Sequence, residues 1–255
     1  MRAITKVSII IPIFNEADNL SRLFQNLTSL DPAPQQVILI DGGSTDSSTV
    51  IAQDLIKAVL SDTSSAIDWQ VLESNAGRAT QMNAGASLAS GEVLLFLHAD
   101  TQLPTQAIAN IMAAISIRAT RTTAISTTAI RTAVWGRFDV QLDSNALMLR
   151  VVSQMINWRS RVSGIATGDQ AIFIQRALFE QLGGYPDQAL MEDIEISKRL
   201  KALAKPICLN RKVVTSARRW QQHGTWRTIV LMWQLRFDYW RGVSADHIRA
   251  RYYKN

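Results

Sequence analysis

The sequence holds a single cysteine, Cys208, in 255 residues. An intramolecular disulfide is therefore excluded, and a reducing compartment is the matching environment. No uncharged apolar window reaches the roughly 18 residues that a spanning helix needs. The first apolar run, residues 7–11, is cut by Pro12 and followed by Asn15-Glu16. It is too short for a signal-peptide core and lacks a small-residue cleavage site. There is no internal repeat, no low-complexity tract and no linker long enough to divide the chain, so one domain over 1–255 is expected. The segment Pro12 to Glu16 has neither Gly nor Lys, which counts against the Gly-rich, Lys-bearing phosphate loop of a nucleotidyltransferase.

What is present describes a globular chain. It is 47% hydrophobic and 19% charged, which argues against disorder and is enough for one sizeable core. The net charge of +6 is uneven: from Lys198 onward there are 14 Lys or Arg against two acids, Asp238 and Asp246. Such a tail suits an anionic partner, either a diphosphate or a membrane surface, or is a plain solvated basic face. No RNA or DNA motif accompanies it, and no nucleic-acid partner is expected.

Apolar runs at 7–11, 37–40, 69–72 and 93–97 read as strands buried on both faces. Between them, 17–30, 47–60 and 79–88 read as helices, the second capped by Asp46 or Ser44, with a loop at 62–65. Strands alternating with helices predict an α/β chain with a parallel, doubly wound sheet. The second half is more mixed. Residues 104–117 read as helix, 118–132 fit either helix or strand, and 134–140 alternate like a strand. An amphipathic helix is expected at 142–162, a strand at 171–174, and a short helix at 176–182 closed by Gly183-Gly184. Then come a helix at 191–203, two short strands at 206–209 and 212–215, a basic aromatic turn at 216–220 and a second amphipathic helix at 226–240.

The stretch that organises the rest is 93–101, five apolar residues running into His98-Ala99-Asp100-Thr101. In an open α/β sheet, ligands bind at the carboxyl ends of strands. An imidazole and a carboxylate arrive there together, and the carboxylate is a hard oxygen donor suited to Mg²⁺ or Mn²⁺. A solvated polar turn is the alternative. Asp41 after the second strand and Arg78 after the third face the same crevice, and convergence of such groups favours a ligand site.

Five motifs in order, Ile11-Pro12-Ile13-Phe14-Asn15-Glu16, Ile40-Asp41-Gly42-Gly43-Ser44-Thr45-Asp46, Phe96-Leu97-His98-Ala99-Asp100, Gly183-Gly184-Tyr185 and Glu192-Asp193, resemble the family 2 glycosyltransferases of the GT-A fold. More narrowly, Asp41-Gly42-Gly43-Ser44, Gly77-Arg78-Ala79, Leu97-His98-Ala99-Asp100-Thr101, Gly168-Asp169-Gln170 and Arg218-Arg219-Trp220 resemble the bacterial radical-SAM/selenodomain-associated, or arsenosugar-biosynthesis, branch. The resemblance implies a mainly parallel nucleotide-binding sheet in about 1–103 and a mixed acceptor-binding half in about 104–255. It implies inverting transfer of a sugar from a nucleotide-diphosphate donor, a UDP-sugar, to a hydroxyl of a small or lipid-linked acceptor. A divalent cation, Mn²⁺ or Mg²⁺, would assist. A non-catalytic nucleotide-sugar binding protein is the alternative. The location expected is cytoplasmic, with peripheral contact at the inner membrane face as an extension.

The resemblance also assigns roles by position. Pro12, Phe14, Asn15, Glu16, Asp41, Ser44, Arg78, His98 and Asp100 fall where the family binds the nucleotide-sugar. Asp41 would accept from the base, unless it is only a turn acid. Arg78 offers planar donors to phosphate, unless it is a solvated helix-start Arg. Two positions depart from the family: Gly42 replaces a second acid, and His98 replaces the first acid of the D-x-D motif. Asp100 matches the motif's last acid and is the expected metal ligand, with His98 a further ligand, a ribose contact or a structural His, and His223 a third ligand or an exposed loop His. Asp193 is the expected general base, with the helix dipole favouring a carboxylate there, unless Glu192-Asp193 is a capping pair. Gly168, Asp169, Gln170, Glu192, Arg219 and Trp220 fall on the acceptor side. The helices at 142–162 and 226–240 carry Trp beside Arg; they pack on the sheet or lie at a membrane interface.

Overall fold

The computed structural model describes residues 6–61, 66–123 and 133–254. Its first half alternates as the apolar runs require: β1 (Val7–Ile13), α1 (Ala17–Thr28), β2 (Gln36–Asp41), α2 (Ser48–Ser61), β3 (Asp68–Glu73), α3 (Arg78–Leu88) and β4 (Val93–Phe96). The second half adds β5 (Thr101–Gln102), α4 (Ala107–Thr123), β6 (Trp135–Asp143), α5 (Leu147–Ser163) and a single 3₁₀ turn (Gly168–Gln170). It continues with β7 (Ile172–Gln175), α6 (Arg176–Gln181), α7 (Glu192–Leu203), β8 (Ile207–Ser216), α8 (Arg218–His223), α9 (Thr225–Trp240) and α10 (Ala245–Lys254).

One eight-stranded sheet runs through both halves in the order β3-β2-β1-β4-β7-β6-β8-β5. β1 pairs in parallel with β2 on one side and β4 on the other, and β3 lies parallel outside β2. β7 is antiparallel to β4 and to β6, β8 is parallel to β6, and β5 is antiparallel to β8. β2 and β4 therefore flank β1 where the chain order reverses, which opens a crevice at the three carboxyl ends.

Alternate residues of β1 feed two cores, as strand geometry demands. Ile9, Ile11 and Ile13 pack with Leu20, Leu23, Phe24 and Leu27 of α1 and with α2 and α4. Ile10 faces the other way and packs with Met82 of α3, Leu178 and Phe179 of α6 and Ile196 and Leu200 of α7. Burial on both faces is why these strands read as unbroken apolar runs.

Four features correct the sequence reading. The strands expected at 206–209 and 212–215 are one strand, β8. Its register against β6 shifts between Phe138 and Asp139, whose partners are Leu209 and Lys212, so Asn210 and Arg211 interrupt the apolar pattern without ending the strand. The helix expected from 142 starts at Leu147 instead, because β6 runs on to Asp143 with Leu142 turned inward and Gln141 and Asp143 outward. The basic turn at 216–220 is the entry to helix α8. Helix α10 has no clear apolar period in the sequence. It is fixed by Ile248, which enters a cluster with Met191, Ile194, Leu231 and Leu235. α4 continues to Thr123; the rest of 118–132 and the loop at 62–65 lie outside the described residues.

Candidate functional site

The crevice is built first from two loops that hold each other. After β1, the Asn15 Oδ1 accepts from the Thr45 N–H at 2.8 Å, and the Asn15 N–H donates to Ser44 Oγ at 2.9 Å. The Glu16 N–H donates to Ser48 Oγ and the Ala17 N–H to Asp46 Oδ2. Asp41 is buried at the end of β2 and is occupied locally: its carboxylate accepts from the Gly43 and Ser44 N–H groups at 3.0 and 2.9 Å and from Ser44 Oγ. Asp41, Ser44 and Asn15 thus shape the rim, while the Phe14 ring stands exposed beside it.

Gln81 of α3 is a residue that sequence reasoning missed. Its side-chain N–H groups donate to the carbonyls of Ile13 and Ile40, both at 2.8 Å, which ties the ends of β1 and β2 together. A Cβ on Gly42 would come within 2.9 Å of that Gln81 amide. The missing acid at position 42 therefore has a physical reason: Gln81 fills its place. Asn83, two residues on, exchanges two bonds with the Tyr185 backbone, and a Cβ on Gly184 (φ +77°) would meet Asn83 Oδ1 at 2.6 Å. Gly184 has no room for a side chain because Asn83 docks there, whereas at Gly183 it is the backbone, φ +74°, that favours glycine.

His98 and Asp100 follow β4 into the crevice. The His98 ring lies against the 3₁₀ turn so closely that a Cβ on Gly168 would sit 2.5 Å from Nε2. Burial, then the Arg78 charge, pushes the His98 pKa down to about 3, so the imidazole is neutral. Thr101 donates its hydroxyl to Thr215 across the β5–β8 pair at 2.8 Å, and the Thr215 hydroxyl reaches Asp100 Oδ1 at 3.5 Å. Glu16 is the neighbouring acid: burial raises its pKa, and the Asp100 charge adds to the rise.

The start of α7 closes the site. Asp193 Oδ2 accepts from the Gly168 N–H at 2.9 Å and Oδ1 from the Ile194 N–H at 2.7 Å. One glycine therefore touches His98 with its face and Asp193 with its N–H. Glu192 is buried (side chain 3% exposed) and lies 3.6 Å from Arg78 Nη1. Its pKa is raised to about 7 because burial outweighs the attraction of Arg78, with Asp193 adding to the rise. Arg78 itself stays 44% exposed, reaching from the head of α3 to the head of α7. The three described non-glycine residues with positive φ, Asn15, Ala171 and Met191, follow β1, follow the 3₁₀ turn and precede α7. Such backbone strain concentrates at functional sites.

On the far side, Gln170 is buried and caps its own turn against Thr167. Asp169 has a buried Oδ1 with no hydrogen-bond partner, and burial raises its pKa. Arg219 donates to the Tyr252 carbonyl at 2.9 Å and stacks 3.6 Å from that ring, so it holds α10 to α8. Trp220 packs beside Leu142, Leu149, Val152 and Ala217. His223 is exposed at the end of α8.

Among the described residues, no group of three or more His, Cys, Asp or Glu side chains is gathered to hold a metal ion. The donor set fits a cation that arrives with a diphosphate: Mg²⁺ and similar ions commonly take one or two carboxylates and complete their shell with phosphate and water. Asp100 would be the hard oxygen donor to such an ion. The neutral imidazole of His98 suits Mn²⁺ better than Mg²⁺.

A strand-end crevice that gathers an imidazole, a carboxylate pair at a helix start and an Arg beside them is where an open α/β sheet binds its ligand. A family model described as Glycosyl transferase family 2 matches residues 8–178, and the chain belongs to that family. A transferase of Yersinia pestis (strain Pestoides F), named undecaprenyl-phosphate 4-deoxy-4-formamido-L-arabinose transferase, is 35% identical over 112 residues, covering 43% of this chain and 33% of that protein. The chain thus spans about a third of that relative's length. The mannosyltransferase PcManGT from Pyrobaculum calidifontis, solved with GDP-Man and Mn²⁺, aligns with TM-score 0.58 at 18% identity, over 84% of this chain and 57% of that one. TarS of S. aureus, residues 1–349 with UDP, aligns with TM-score 0.57 at 16% identity, over 82% of this chain and 57% of that one. These likenesses share the mixed α/β GT-A architecture described above.

Proposed function

We propose that this protein transfers a sugar, with inversion, from a nucleotide-diphosphate donor, a UDP-sugar, to a hydroxyl of a lipid-linked or small acceptor, assisted by Mn²⁺ or Mg²⁺. The observation that carries the reading is the Gly168 junction. It holds the Asp193 carboxylate at 2.9 Å and packs on His98 at the end of β4, so a base and a nucleotide-binding strand end share one crevice. UDP in TarS and GDP-Man with Mn²⁺ in PcManGT support a nucleotide-sugar donor; the lipid phosphate in the Yersinia protein's name supports the lipid-linked acceptor.

The roles follow from chemistry. Phe14 offers the base a ring to stack on, and the rim that Asn15, Asp41 and Ser44 build fixes the entry of the nucleoside. Asp41 retains acceptor capacity for a base N–H, since a carboxylate has about four lone-pair sites. His98, neutral, can donate to or accept from a ribose hydroxyl. Arg78 meets the diphosphate as a planar cation. A cation held by Asp100 would neutralise charge building on the departing diphosphate. Asp193 accepts the proton of the acceptor hydroxyl as the new glycosidic bond forms and the nucleoside diphosphate leaves with its electron pair. Glu192 keeps Arg78 in place. Residues up to about 103 would serve the donor, and those from about 104 the acceptor.

Membrane contact is part of the proposal. Leu147, Val151, Met155, Trp158 and Val162 form an exposed stripe on α5, and Trp226, Val230, Trp233, Phe237 and Trp240 form one on α9. Trp233 is 64% and Trp240 77% exposed. Arg150, Arg159, Arg161, Arg227, Arg236 and Arg241 are interleaved. Apolar and Trp residues beside Arg suit the headgroup region of an anionic bilayer. No described helix is long and apolar enough to cross a membrane. We assign the protein to the cytoplasm, docked at the inner face. The motifs shared with the arsenosugar branch support an acceptor of small or lipid-linked kind.

Titration calorimetry with UDP and Mn²⁺ tests the donor reading. Wild type is expected to bind UDP with metal dependence, and Asp100→Asn to lose that dependence. Metal-independent binding, or no binding, contradicts it.

A further inference from the structure

Asp193 is held by the residue that follows it. Its Oδ1 accepts from the Ile194 N–H at 2.7 Å, and its Oδ2 from the Gly168 N–H at 2.9 Å. Where Ile194 goes, the carboxylate goes. The Ile194 side chain is buried in a cluster supplied largely from the end of the chain, with Met191 beside it, Leu231 and Leu235 of α9 and Ile248 of α10.

The turn that carries Glu192 and Asp193 is strained. Met191, at the N-cap of α7, adopts φ +67°. A residue with a side chain keeps that conformation only where its surroundings over-determine it. Here the surroundings are α9 and α10. Leu231, Leu235 and Tyr239 recur every four residues and so share one face of α9. The two leucines enter the Met191 cluster and Tyr239 packs against it. The Tyr239 hydroxyl donates to Glu195 Oε2 at 3.3 Å and accepts from Gln188 Nε2 at 3.4 Å. It thereby bridges the chain before Met191 to the chain after Ile194. Gln188 Nε2 also donates to the Leu190 carbonyl at 3.0 Å. Ile248 is fully buried, and α10 is anchored on either side of Tyr252: Arg251 pairs with Asp238 of α9, and Arg219 of α8 donates to the Tyr252 carbonyl at 2.9 Å. Burial of apolar surface accounts for Leu231 and Leu235. It does not account for a hydroxyl set between residues 188 and 195, whose bonds fix the span in which Asp193 lies.

We infer that Tyr239 and Ile248 are positioning residues for the base. Through Gln188, Glu195 and the Met191–Ile194 cluster they hold the first turn of α7, and with it the Asp193 carboxylate, at the place where Gly168 meets it. Both act through other residues and not by contact with substrate. Such a role carries weight because a shift of about 1 Å in a reacting group can cost as much as 10²-fold in rate. The inference rests on the reading of Asp193 as the base and adds the elements that keep it in place.

The test follows kcat and donor KM for UDP release from a UDP-sugar, with Mn²⁺ and a hydroxyl-bearing acceptor, in the full chain. Tyr239→Phe removes one hydroxyl and Ile248→Ala opens the α10 contact. In each, kcat should fall by about tenfold while donor KM and UDP affinity stay within about twofold. Ile248→Val, which keeps most of the volume, should retain most of the rate. A double-mutant cycle separates positioning from general loosening. In an Asp193→Asn background, Tyr239→Phe should change the residual rate by less than about twofold, because a residue that acts through the base is silent once the base is gone. A purely structural role would lower the rate in both backgrounds alike. The proposal is overturned if Tyr239→Phe leaves kcat unchanged, if its loss persists in full beside Asp193→Asn, or if donor KM rises as kcat falls. Should Ile248→Ala fail to fold, Tyr239→Phe still decides the matter, since it deletes no buried methyl group. Equal rates for wild type and Asp193→Asn would remove the reading of Asp193 itself, and this inference with it.

Discussion

Glu192 and His98 are pushed in opposite directions by the same burial, and each leaves a signature in stability. Glu192 rises from its ordinary 4.5 to about 7. Between those values the native state binds more protons than the unfolded chain, so this contribution is fully present below about 4.5 and is lost as pH rises through 7. His98 falls from 6.5 to about 3, so its contribution is present above 6.5 and lost as pH falls toward 3. Urea midpoints measured from pH 4.5 to 7 should fall less steeply in Glu192→Gln than in wild type; a constant offset between the two curves would contradict the shift. Position 42 carries a second expectation. Gly42→Ala drives a Cβ into the Gln81 amide and should cost about 1–3 kcal/mol, in the range of overpacking; the same substitution should cost less in a Gln81→Ala background, which itself loses the bonds to Ile13 and Ile40. At this scale the sequence marked Asp41, Arg78, His98, Asp100 and Asp193 because strand ends and helix starts have recognisable patterns. It carried no signal for Gln81: a Gln in a helix of small residues looks like ordinary surface until the ends of β1 and β2 are brought against it.

Among elements, the 3₁₀ turn from Gly168 to Gln170 is only three residues long and is held from two sides. It is fixed below by Gln170, whose amide caps Thr167, and above by the close approach to His98. Gly168→Ala places a methyl 2.5 Å from His98 Nε2. The turn must shift, and with it the N–H that holds Asp193. Turnover should fall by about 10²-fold, as misplacement of a catalytic group does, while UDP affinity changes little. The double variant His98→Ala/Gly168→Ala should melt above Gly168→Ala; if it does not, the contact is not what limits the turn. The parallel first half was legible because buried strands show as apolar runs and their helices as periodic stripes. β8 was divided in two because two interrupting residues, Asn210 and Arg211, look like a turn when their partner strand is unknown. α10 escaped notice because its docking depends on Ile248 and on the Tyr252–Arg219 stack, contacts made with distant parts of the chain.

At the scale of the whole molecule, α5 and α9 each expose a stripe of apolar and Trp side chains. The net charge of +6 with most cations after Lys198 adds an attraction to anionic surfaces that salt weakens. Trp158→Glu/Trp233→Glu should reduce co-sedimentation with phosphatidylglycerol vesicles several-fold, and raised salt should reduce it further in wild type; equal sedimentation of wild type and variant would remove the membrane assignment. The basic tail and the Trp-bearing helices were visible in the sequence, but the meeting of α5 and α9 through Leu149, Val152, Ala217 and Ile229 was not, since it joins distant parts of the chain.

The central claim is that Asp193 serves as the base of a nucleotide-sugar transferase. Its most direct measurement is UDP release from UDP-sugars in the presence of Mn²⁺ and a polyprenyl alcohol or other hydroxyl-bearing acceptor, for wild type and Asp193→Asn. The account predicts turnover by wild type, a fall of about 10²–10⁴ in Asp193→Asn, and unchanged UDP binding in the variant. Equal rates for the two proteins, or UDP binding without release by either, would contradict it.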